Sequence, residues 1–245
     1  YAGNAAPGQV DSEQMLEEFR YRKLTSNTEV FGVVGNPISH SISPALHNAS
    51  FAEQQRDAVY LPLEAYDVAD FARFAKALSI KGASITAPFK QTMLKQVKKT
   101  DSVAKLIGAV NTIRAESDCW SGINTDVEGF LAPLKRRIKL KGLRASVLGA
   151  GGAARAVTVA LSQAGAIVSV HARRLENAKA VASLGKAVAG RWPPLPKTWD
   201  LLVNTTPVGT FPNVNKTPME RDHLDGRLVY DLVYNPTQTR LMKDA

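Results

Sequence analysis

Short apolar runs alternate along the chain with longer stretches in which apolar residues recur every three or four positions. The short runs are rich in Val and Ile and end at Gly, Pro or Asn, which is typical of β-strands, whereas the longer stretches are typical of amphipathic helices. The alternation starts at Val30 and predicts an α/β fold with largely parallel sheets covered by helices. In the first half, strands are predicted at 30–34, 58–63, 83–86, 109–114 and 120–123, and helices at 44–54, 68–78, 91–98 and 125–137.

A second α/β unit is predicted after Lys141-Gly142-Leu143. Its strands are expected at 145–148, 167–171, 199–204 and 227–233, and its helices at 151–164 and 176–184. Two α/β domains with a cleft between them are therefore expected. We divide the chain into a tail at 1–24, a first domain at 25–137, a second domain at 138–233 and, at 234–245, the start of a helix expected to return to the first domain.

The bulk composition narrows the function classes. Hydrophobic residues make up 44% of the 245 residues, and no apolar run is long enough to span a membrane, so no membrane partner is predicted. The formal net charge is +9, but the basic clusters are short and dispersed, which disfavours nucleic-acid binding and suits small anionic ligands. The single cysteine, Cys119, excludes an intrachain disulfide and indicates a reducing intracellular compartment. No metal site is predicted.

A glycine-rich segment follows an apolar strand and opens a long helix rich in Ala and Val. It fits the pattern G-x-G-x-x-A, with Ala154 as the closing alanine, in the strand–turn–helix context that gives this pattern its meaning. The first glycine permits a tight turn, the second lets the backbone approach a pyrophosphate, and the helix N-terminus offers N–H groups to phosphates. A glycine-rich turn that only joins a strand to a helix is the structural alternative. The predicted cofactor contacts are Gly149, Ala150, Gly151, Gly152 and Ala153.

The next strand of this unit leads into Ala172, Arg173 and Arg174. No carboxylate stands at the tip of the strand, where a protein that binds NAD places an Asp or Glu on the ribose 2′-hydroxyl. Guanidinium groups offer planar pairs of donors that suit a 2′-phosphate, so NADP(H) is favoured over NAD. Ordinary surface charge after a strand is the alternative for the two arginines.

Two serines follow the first predicted strand of the chain. Ser43 and Pro44 are typical of a helix N-cap and a first helical residue. Ser41 and Ser43 are therefore expected at a helix N-terminus, where hydroxyls and backbone amides can bind a carboxylate. Simple helix capping is the alternative for both.

Lys90 stands at a predicted helix entrance shortly after Thr86, and Asn111 and Asp126 stand at the ends of two later apolar runs. Ligands of open α/β sheets gather at such strand ends. A lysine near a carboxylate makes a proton-transfer pair, which the oxidation of an alcohol or the reduction of a carbonyl requires. Each residue also has a plain structural role available: Lys90 as a surface lysine, Asn111 as a turn former and Asp126 as a helix N-cap.

Six motifs in this order resemble those of the shikimate dehydrogenase family across roughly residues 30–245: SHSISP, TAPFK, GAVNT, NTD, GAGGAAR and NTTPVG. The resemblance implies an N-terminal substrate domain and a C-terminal, Rossmann-like NADP-binding domain. It also implies the reversible, NADP-dependent reduction of 3-dehydroshikimate to shikimate, a step of the shikimate pathway to the aromatic amino acids. The partners implied are therefore small molecules.

The same motifs assign roles to residues of this chain. By resemblance, Ser41 and Ser43 bind the substrate carboxylate, and Thr86 and Asn111 hold its ring hydroxyls. Lys90 and Asp126 form the catalytic pair, with Lys90 as the proton-transfer residue.

The resemblance also covers the late segments of the chain. Tyr234, in Tyr234-Asn235-Pro236, is similar to a further substrate contact of the family. The NTTPVG segment resembles the one that lines the nicotinamide side of the cofactor, which adds Thr205 and Val208 to the expected cofactor contacts.

Three departures from the family pattern stand out. The family often has Asn at the position of Ser84 and a hydrophobic residue at the position of Thr210. It usually continues to a Gly-x-x-Met-Leu-x-x-Gln segment whose Gln contacts substrate, whereas this chain ends at Ala245. Either the chain is truncated or the natural protein is short, and in both cases a less complete substrate pocket is expected.

The first two dozen residues resemble a different family. Ala6-Pro7-Gly8-Gln9 is similar to a late loop of type I 3-dehydroquinate dehydratases, and the helical stretch expected at 12–20 is similar to their last helix. The resemblance implies a longer parent protein in which a dehydratase precedes the dehydrogenase, as in the bifunctional enzymes of plants, and a plastid location for such a parent. The start of the chain has neither an initiator Met nor a secretory signal, which fits an excerpt.

Three alternative functions stay open at this point. A quinate or quinate/shikimate dehydrogenase shares the motifs, although the presence of both serines favours shikimate. A catalytically impaired dinucleotide-binding module is compatible with the expected truncation. A nucleic-acid-binding protein is disfavoured by the dispersed charge.

Overall fold

The computed structural model describes residues 10–38, 41–117 and 119–245. The chain divides into two compact units, Tyr1–Asn124 and Thr125–Ala245. The segment at 6–9 that resembles a dehydratase loop lies outside the described residues. In the described ranges, no helix combines the length and the apolar character that a membrane crossing requires.

The first unit is built on a mixed sheet. Its strands in the described residues are β1 (Glu29–Gly35), β2 (Ala58–Glu64), β3 (Gly82–Ile85), β4 (Lys99–Thr100), β5 (Thr112–Ala115) and β6 (Trp120–Ile123). They lie in the order β2-β1-β3-β5-β6-β4. β5 is antiparallel to its neighbours β3 and β6, and the other pairs are parallel. A short connection joins β5 to β6, and only antiparallel neighbours can be joined so closely.

Helices cover this sheet, and side-chain caps set where several of them begin. Asp67 and Asp101 precede α3 and α5, and their carboxylates accept the N–H three residues further on at 2.7 and 2.8 Å. Gly108 ends α5 in the left-handed conformation, with a φ of 70°. The helices found in the described part of this unit are α1 (Ser12–Glu17), α2 (Ser43–Glu53), α3 (Val68–Ala77), α4 (Lys90–Leu94) and α5 (Ser102–Ile107).

The alternation of side chains along β1 gives this unit two apolar layers. Val34 points to a cluster that includes Phe71 of α3 and Met93 of α4. Val33 points the other way, into a cluster with Phe51 of α2 and Tyr60 of β2. Neighbouring residues of a strand face opposite sides, so one short apolar run holds helices on both faces of the sheet.

The second unit has a fully parallel sheet. Residues 125–245, all of which the structure describes, contain β7 (Arg144–Leu148), β8 (Ile167–His171), β9 (Ala187–Gly190), β10 (Leu201–Asn204) and β11 (Leu228–Asp231). The strands lie in the order β11-β10-β7-β8-β9, and every pair is parallel. The order reverses at β7, as in Rossmann-like sheets, and ligands bind at the carboxyl ends of the strands beside such a reversal.

The helices of this unit are α6 (Asp126–Lys135), α7 (Gly152–Gln163), α8 (Leu175–Ala182) and α9 (Arg240–Asp244). Ala154, Ala160 and Leu161 of α7 are fully buried, so this helix contributes heavily to the core. α6 packs against α7, which places it in the second unit. The domain limits proposed from sequence, 25–137 and 138–233, stay a prediction.

The α/β fold with largely parallel sheets is confirmed, but several element bounds were wrong. The helix expected at 91–98 ends at Leu94, and the strand Lys99–Thr100 that follows was not expected. The helix expected at 12–20 ends at Glu17, and Arg20 lies in the left-handed region, with a φ of 49°. The strand Ala187–Gly190 was missed because its small residues carry a weak pattern.

Candidate active site

Gly149 shapes the turn between β7 and α7. Its φ of 117° lies in a region that other residues rarely adopt, and a Cβ there would lie 2.5 Å from Thr205 Oγ1. The N–H of Gly149 donates to the carbonyl of His171 at 2.8 Å, which ties the turn to the end of β8. Only glycine fits this position, as the motif indicates.

Gly151 occupies the N-cap position of α7, and the helix begins at Gly152. A Cβ on Gly151 would meet nothing within 4 Å, so the space beside this residue is open. The first N–H groups of a helix have no intrahelical acceptors, and the helix dipole is positive there. An open space at the N-terminus of a helix suits a diphosphate.

A cleft of about 890 Å³ lies in front of this turn, at the carboxyl ends of the strands of the second unit. The turn supplies one wall, the segments after β8 and β9 supply the second, and the loop after β10 supplies the third. The lining residues are Gly149, Ala150, Gly151, Ala172, Arg173, Arg174, Asn177, Trp192, Thr205, Thr206, Pro207 and Val208. The open glycine turn and the guanidinium groups in one cleft fit a dinucleotide that carries an additional phosphate.

The charges around the cleft favour NADP(H). Arg173 and Arg174 are both exposed at its edge, just before α8 begins at Leu175. The nearby Glu176 instead pairs with Lys179, at 3.1 Å, on the outside of α8. Among the described residues that line the cleft, none carries a carboxylate that could take a ribose 2′-hydroxyl.

Asn204 organises the loop that forms the third wall. It is fully buried at the end of β10, and its Oδ1 accepts the N–H and the hydroxyl of Thr206 at 3.0 and 2.7 Å. Its Nδ2 donates to Asp231 Oδ1 at 2.9 Å. The Thr206 hydroxyl accepts the N–H of Val208 at 3.2 Å, and the Thr205 hydroxyl donates to the last carbonyl of β7 at 2.6 Å. These bonds hold the loop in one shape beside the cleft.

Most of the expected cofactor residues line the cleft, and four lining residues were not expected. Gly152 and Ala153 do not line it but form the first turn of α7 directly behind it. Thr206 and Pro207 lie between the expected Thr205 and Val208, and Asn177 follows the expected Arg174 by three residues, so a wider window around the motifs would have included them. Trp192 gave no sequence signal because it follows the missed strand β9.

Two of the expected substrate residues and the expected catalytic lysine meet at one edge of the first sheet. Thr86 follows β3, Lys90 begins α4 and Asn111 precedes β5. The carbonyl of Asn111 accepts the N–H of Ile85 at 2.7 Å, and the carbonyl of Lys90 accepts the N–H of Val110 at 2.9 Å. Main-chain hydrogen bonds therefore hold the three positions together.

The loop after β1 lies at the same edge. A Cβ on Gly35 would lie 2.5 Å from Thr86 Cγ2, so Thr86 needs the glycine beside it. The N–H of Asn36 donates to the carbonyl of Ala87 at 3.2 Å. This loop leads to Ser41 and Ser43 and is thus fixed beside Thr86 where it starts.

The capping role expected of Ser43 was wrong. α2 begins at Ser43 itself, Ile42 holds the N-cap position, and no side chain caps the helix from there. The Oγ of Ser41 instead accepts the N–H of Ser43 at 3.3 Å. Ile42 has helical dihedral angles, and this brings Ser43 into the first turn together with Pro44. Both serines nevertheless lie at the start of a helix, as expected.

Ser84 and Thr210, the two residues that depart from the family pattern, both form hydrogen bonds through their hydroxyls. Ser84 Oγ accepts the hydroxyl of Tyr60 at 2.6 Å. Burial raises the pKa of Tyr60, against a smaller lowering by its bond to Ser84. Thr210 donates its hydroxyl to the carbonyl of Asn235 at 3.1 Å.

Asp126 and Tyr234 belong to the second unit. Asp126 is the first residue of α6, partly buried, and Thr125 holds the N-cap position before it. Because Lys90 belongs to the first unit, the expected meeting of its side chain with Asp126 stays a prediction. Tyr234 follows β11 and is 58% exposed, and its expected contact with substrate also stays a prediction.

Comparison with known proteins identifies the family. The model of the shikimate dehydrogenase substrate binding domain matches residues 33–113. The shikimate dehydrogenase (NADP(+)) of Moorella thermoacetica is 39% identical over 241 residues, which cover 91% of this chain and 81% of the relative.

Solved structures of the same family share the fold. A shikimate dehydrogenase crystallised in complex with NADP+ has a TM-score of 0.82 and is 33% identical, over 91% of this chain and 82% of its own. Shikimate 5-dehydrogenase from Thermus thermophilus, crystallised with NADP(H) and shikimate, has a TM-score of 0.79 and is 34% identical, over 89% of this chain and 83% of its own. The identity and the shared length are sufficient to conclude that this chain belongs to the shikimate dehydrogenase family.

Proposed function

We propose that this protein is an NADP-dependent shikimate dehydrogenase, which interconverts 3-dehydroshikimate and shikimate. The observation that carries the proposal is the joint presence of two sites in one chain of this family. The first is the cleft with its glycine turn and arginines, and the second is the edge that gathers Thr86, Lys90 and Asn111.

The cofactor is held by the second unit. The turn at Gly149 and Gly151 and the N-terminus of α7 face the diphosphate, and Arg173 and Arg174 bind the 2′-phosphate. The loop that includes Thr205 and Val208 lies at the nicotinamide side. When bound, NADP(H) supplies or accepts the hydride at the carbon that carries the reacting oxygen.

The substrate is an anion with several hydroxyl groups, and the first unit offers a group for each. The hydroxyls of Ser41 and Ser43, at the N-terminus of α2, bind the carboxylate. Thr86 and Asn111 hold ring hydroxyls, and Tyr234 adds a contact from the second unit. Polar side chains at fixed strand ends orient such a ring, because each hydroxyl must find its own partner.

Lys90 and Asp126 perform the proton transfer. When the ketone is reduced, the Lys90 ammonium donates a proton to the oxygen of the carbonyl as its carbon becomes tetrahedral. When the alcohol is oxidised, the neutral lysine amine accepts that proton. Asp126 orients the ammonium and offsets its charge. In support of this pairing, Asp126 follows Asn124 by two residues, and the Asn124 side chain is bonded to the carbonyl of Ala109 at 3.0 Å, two residues before Asn111.

The test is formation of the reduced cofactor, NADPH or NADH, by the purified chain, measured by absorbance with shikimate or quinate and with NADP+ or NAD+. We expect the highest kcat/KM with shikimate and NADP+. Preference for quinate would assign the chain to the quinate branch of the family. NADP+ binding without turnover of either substrate would indicate an impaired dinucleotide-binding module.

We further propose that residues 1–24 are the tail of a 3-dehydroquinate dehydratase domain in a longer parent protein. The support is the resemblance of this segment to the end of that family. In addition, Met15 and Leu16 of α1 are 38% and 43% exposed, which gives this short helix an apolar surface suited to a neighbouring domain. The coding sequence directly upstream of Tyr1 tests the proposal. It should encode a dehydratase barrel, and an unrelated or absent upstream reading frame would contradict it.

A further inference from the structure

Trp192 lines the cofactor cleft together with Arg173 and Arg174. β8 and β9 are parallel with His171 opposite Gly190, and Arg173 and Trp192 each follow that last pair by two residues. Both line the cleft. The nicotinamide-side loop follows β10, on the other flank of β7, so Trp192 shares the wall of the arginines rather than that of the loop.

A buried histidine fixes the main chain directly before Trp192. The ring of His171 lies 2.6 Å, through Nδ1, from the carbonyl oxygen of Arg191, and since a carbonyl only accepts, Nδ1 carries the hydrogen. Nε2 lies 2.9 Å from Ser169 Oγ and accepts that hydroxyl in the neutral ring. A side chain at Gly190 would collide with the His171 ring, so the strand passes close to it. The backbone that leads to the indole is therefore held in place.

The indole is also held by packing. One side of Trp192 packs against an apolar cluster that includes Leu148, Trp199 and Leu202, yet the residue is only partly buried and borders the cleft. A ring that is fixed on one side and open on the other binds a flat ligand with little loss of side-chain entropy. Among the described residues that line the cleft, Trp192 alone carries an aromatic ring.

We propose that the indole of Trp192 stacks on the adenine of NADP(H) and sets the affinity for the adenosine 2′-phosphate half of the cofactor. The inference rests on the proposed cofactor and adds a recognition element that the glycine turn and the arginines do not supply. Those groups bind phosphates, which leaves the base without a partner, whereas an aromatic face binds any purine. Trp192 is thereby a determinant of cofactor affinity and takes no part in the chemical step.

Calorimetry with adenosine 2′,5′-bisphosphate tests the proposal without any need for catalysis. We expect Trp192→Leu to weaken binding about tenfold and Trp192→Phe, which keeps an aromatic face, to stay within about threefold of the unchanged chain. Binding of nicotinamide mononucleotide, which lacks adenine, should be the same in all three proteins. Unchanged binding of the bisphosphate by Trp192→Leu, or equal losses in both variants, would overturn the inference.

Fluorescence gives a second measurement that does not depend on the folding of Trp192→Leu. Adenosine 2′,5′-bisphosphate should quench indole emission in the unchanged chain and in Trp120→Phe, a control in the first unit, but not in Trp192→Phe. Absence of quenching in the unchanged chain would also overturn the inference. Because both measurements use the cofactor fragment, a chain that binds the fragment through Trp192 but does not turn over shikimate would disprove the proposed function alone.

Discussion

The side-chain amide of Asn48 forms with the main chain of Tyr60 the two hydrogen bonds that a neighbouring strand would form. Its Nδ2 donates to the carbonyl of Tyr60 at 2.9 Å, and its Oδ1 accepts the N–H of Tyr60 at 2.8 Å. β2 is an edge strand of the sheet formed by the described residues, so these main-chain groups have no further strand there to pair with. Asn48 is 3% exposed and belongs to α2, the helix that begins at Ser43. Its side-chain amide therefore attaches this helix to the sheet.

Replacement of Asn48 should loosen α2 from β2. We expect Asn48→Ala to lower the free energy of unfolding by about 2 kcal/mol, because it leaves two buried main-chain groups without partners. The KM for shikimate should rise as well, because Ser43 moves with the helix. Urea denaturation and steady-state kinetics measure the two effects. Ser50→Ala, an exposed change on the same helix, should alter neither quantity, and an Asn48→Ala protein as stable as the unchanged chain would contradict the expectation.

Removal of either member of the proposed catalytic pair should affect turnover and spare the cofactor. We expect Lys90→Ala and Asp126→Ala each to lower kcat by roughly 10²- to 10⁴-fold, the usual contribution of a positioned acid or base. NADP+ affinity, measured by calorimetry, should change little. Lys95→Ala, an exposed lysine that follows α4, is the matched control and should retain full activity. Near-normal turnover by Lys90→Ala would remove Lys90 from the mechanism.

The two arginines at the start of α8 should select NADP over NAD. We expect joint replacement of Arg173 and Arg174 by Ala to weaken NADP+ about 100-fold, because charge-assisted bonds to the 2′-phosphate are lost. NAD+ lacks this phosphate and should lose less than about threefold. Joint replacement of Lys135 and Arg136, both exposed at the end of α6, removes the same charge elsewhere and should leave both affinities unchanged. Equal losses for NADP+ and NAD+ would show that the arginines do not bind the 2′-phosphate.

Stability in acid should depend on Asp200. Its carboxylate accepts bonds from the main-chain N–H of Arg144 and from its guanidinium at 2.9 to 3.0 Å, and these bonds lower the pKa of Asp200 to about 2. The pKa of an aspartate in the unfolded chain is about 3.9. The stabilisation of the fold by ionised Asp200 is therefore complete above that pH and is lost as the pH falls towards 2. The urea midpoint of Asp200→Asn should therefore fall less between pH 5 and pH 2.5 than that of the unchanged chain. Asp222→Asn, an exposed control, should show the full loss, and an equally steep loss in Asp200→Asn would contradict the assignment.

Sequence patterns predicted those strands of the second unit whose own residues strongly favour a strand. The strand at 167–171 agrees residue by residue with Ile167–His171, because its Val-rich run ends sharply on both sides. β9 was missed because Ala187-Val188-Ala189-Gly190 has little intrinsic preference for a strand and forms one through its register with β8. The omission carried over to the site, because without β9 nothing placed Trp192 beside Arg173.

In the first unit, too, features that depend on contacts between distant segments could not be predicted from local sequence. The motifs predicted roles for Thr86, Lys90 and Asn111, which stay predictions, and main-chain hydrogen bonds between distant segments bring the three positions together. The prediction that Ser43 caps α2 was wrong because the start of this helix depends on the dihedral angles of Ile42, which residue type alone does not determine. The predicted pairing of Lys90 with Asp126 depends on the placement of the two units and stays a prediction.

The main-chain groups of Asn111 have a structural role, whereas its side chain is the part proposed to bind substrate. Its carbonyl and N–H are bound to Ile85 and Ile123, so the peptide groups of this residue join strand ends on both sides of it. These two bonds use main-chain groups only, so a replacement that keeps the N–H does not remove them. If the Asn111 side chain holds a ring hydroxyl, as proposed, a substitution at 111 should change substrate recognition and leave these main-chain hydrogen bonds in place.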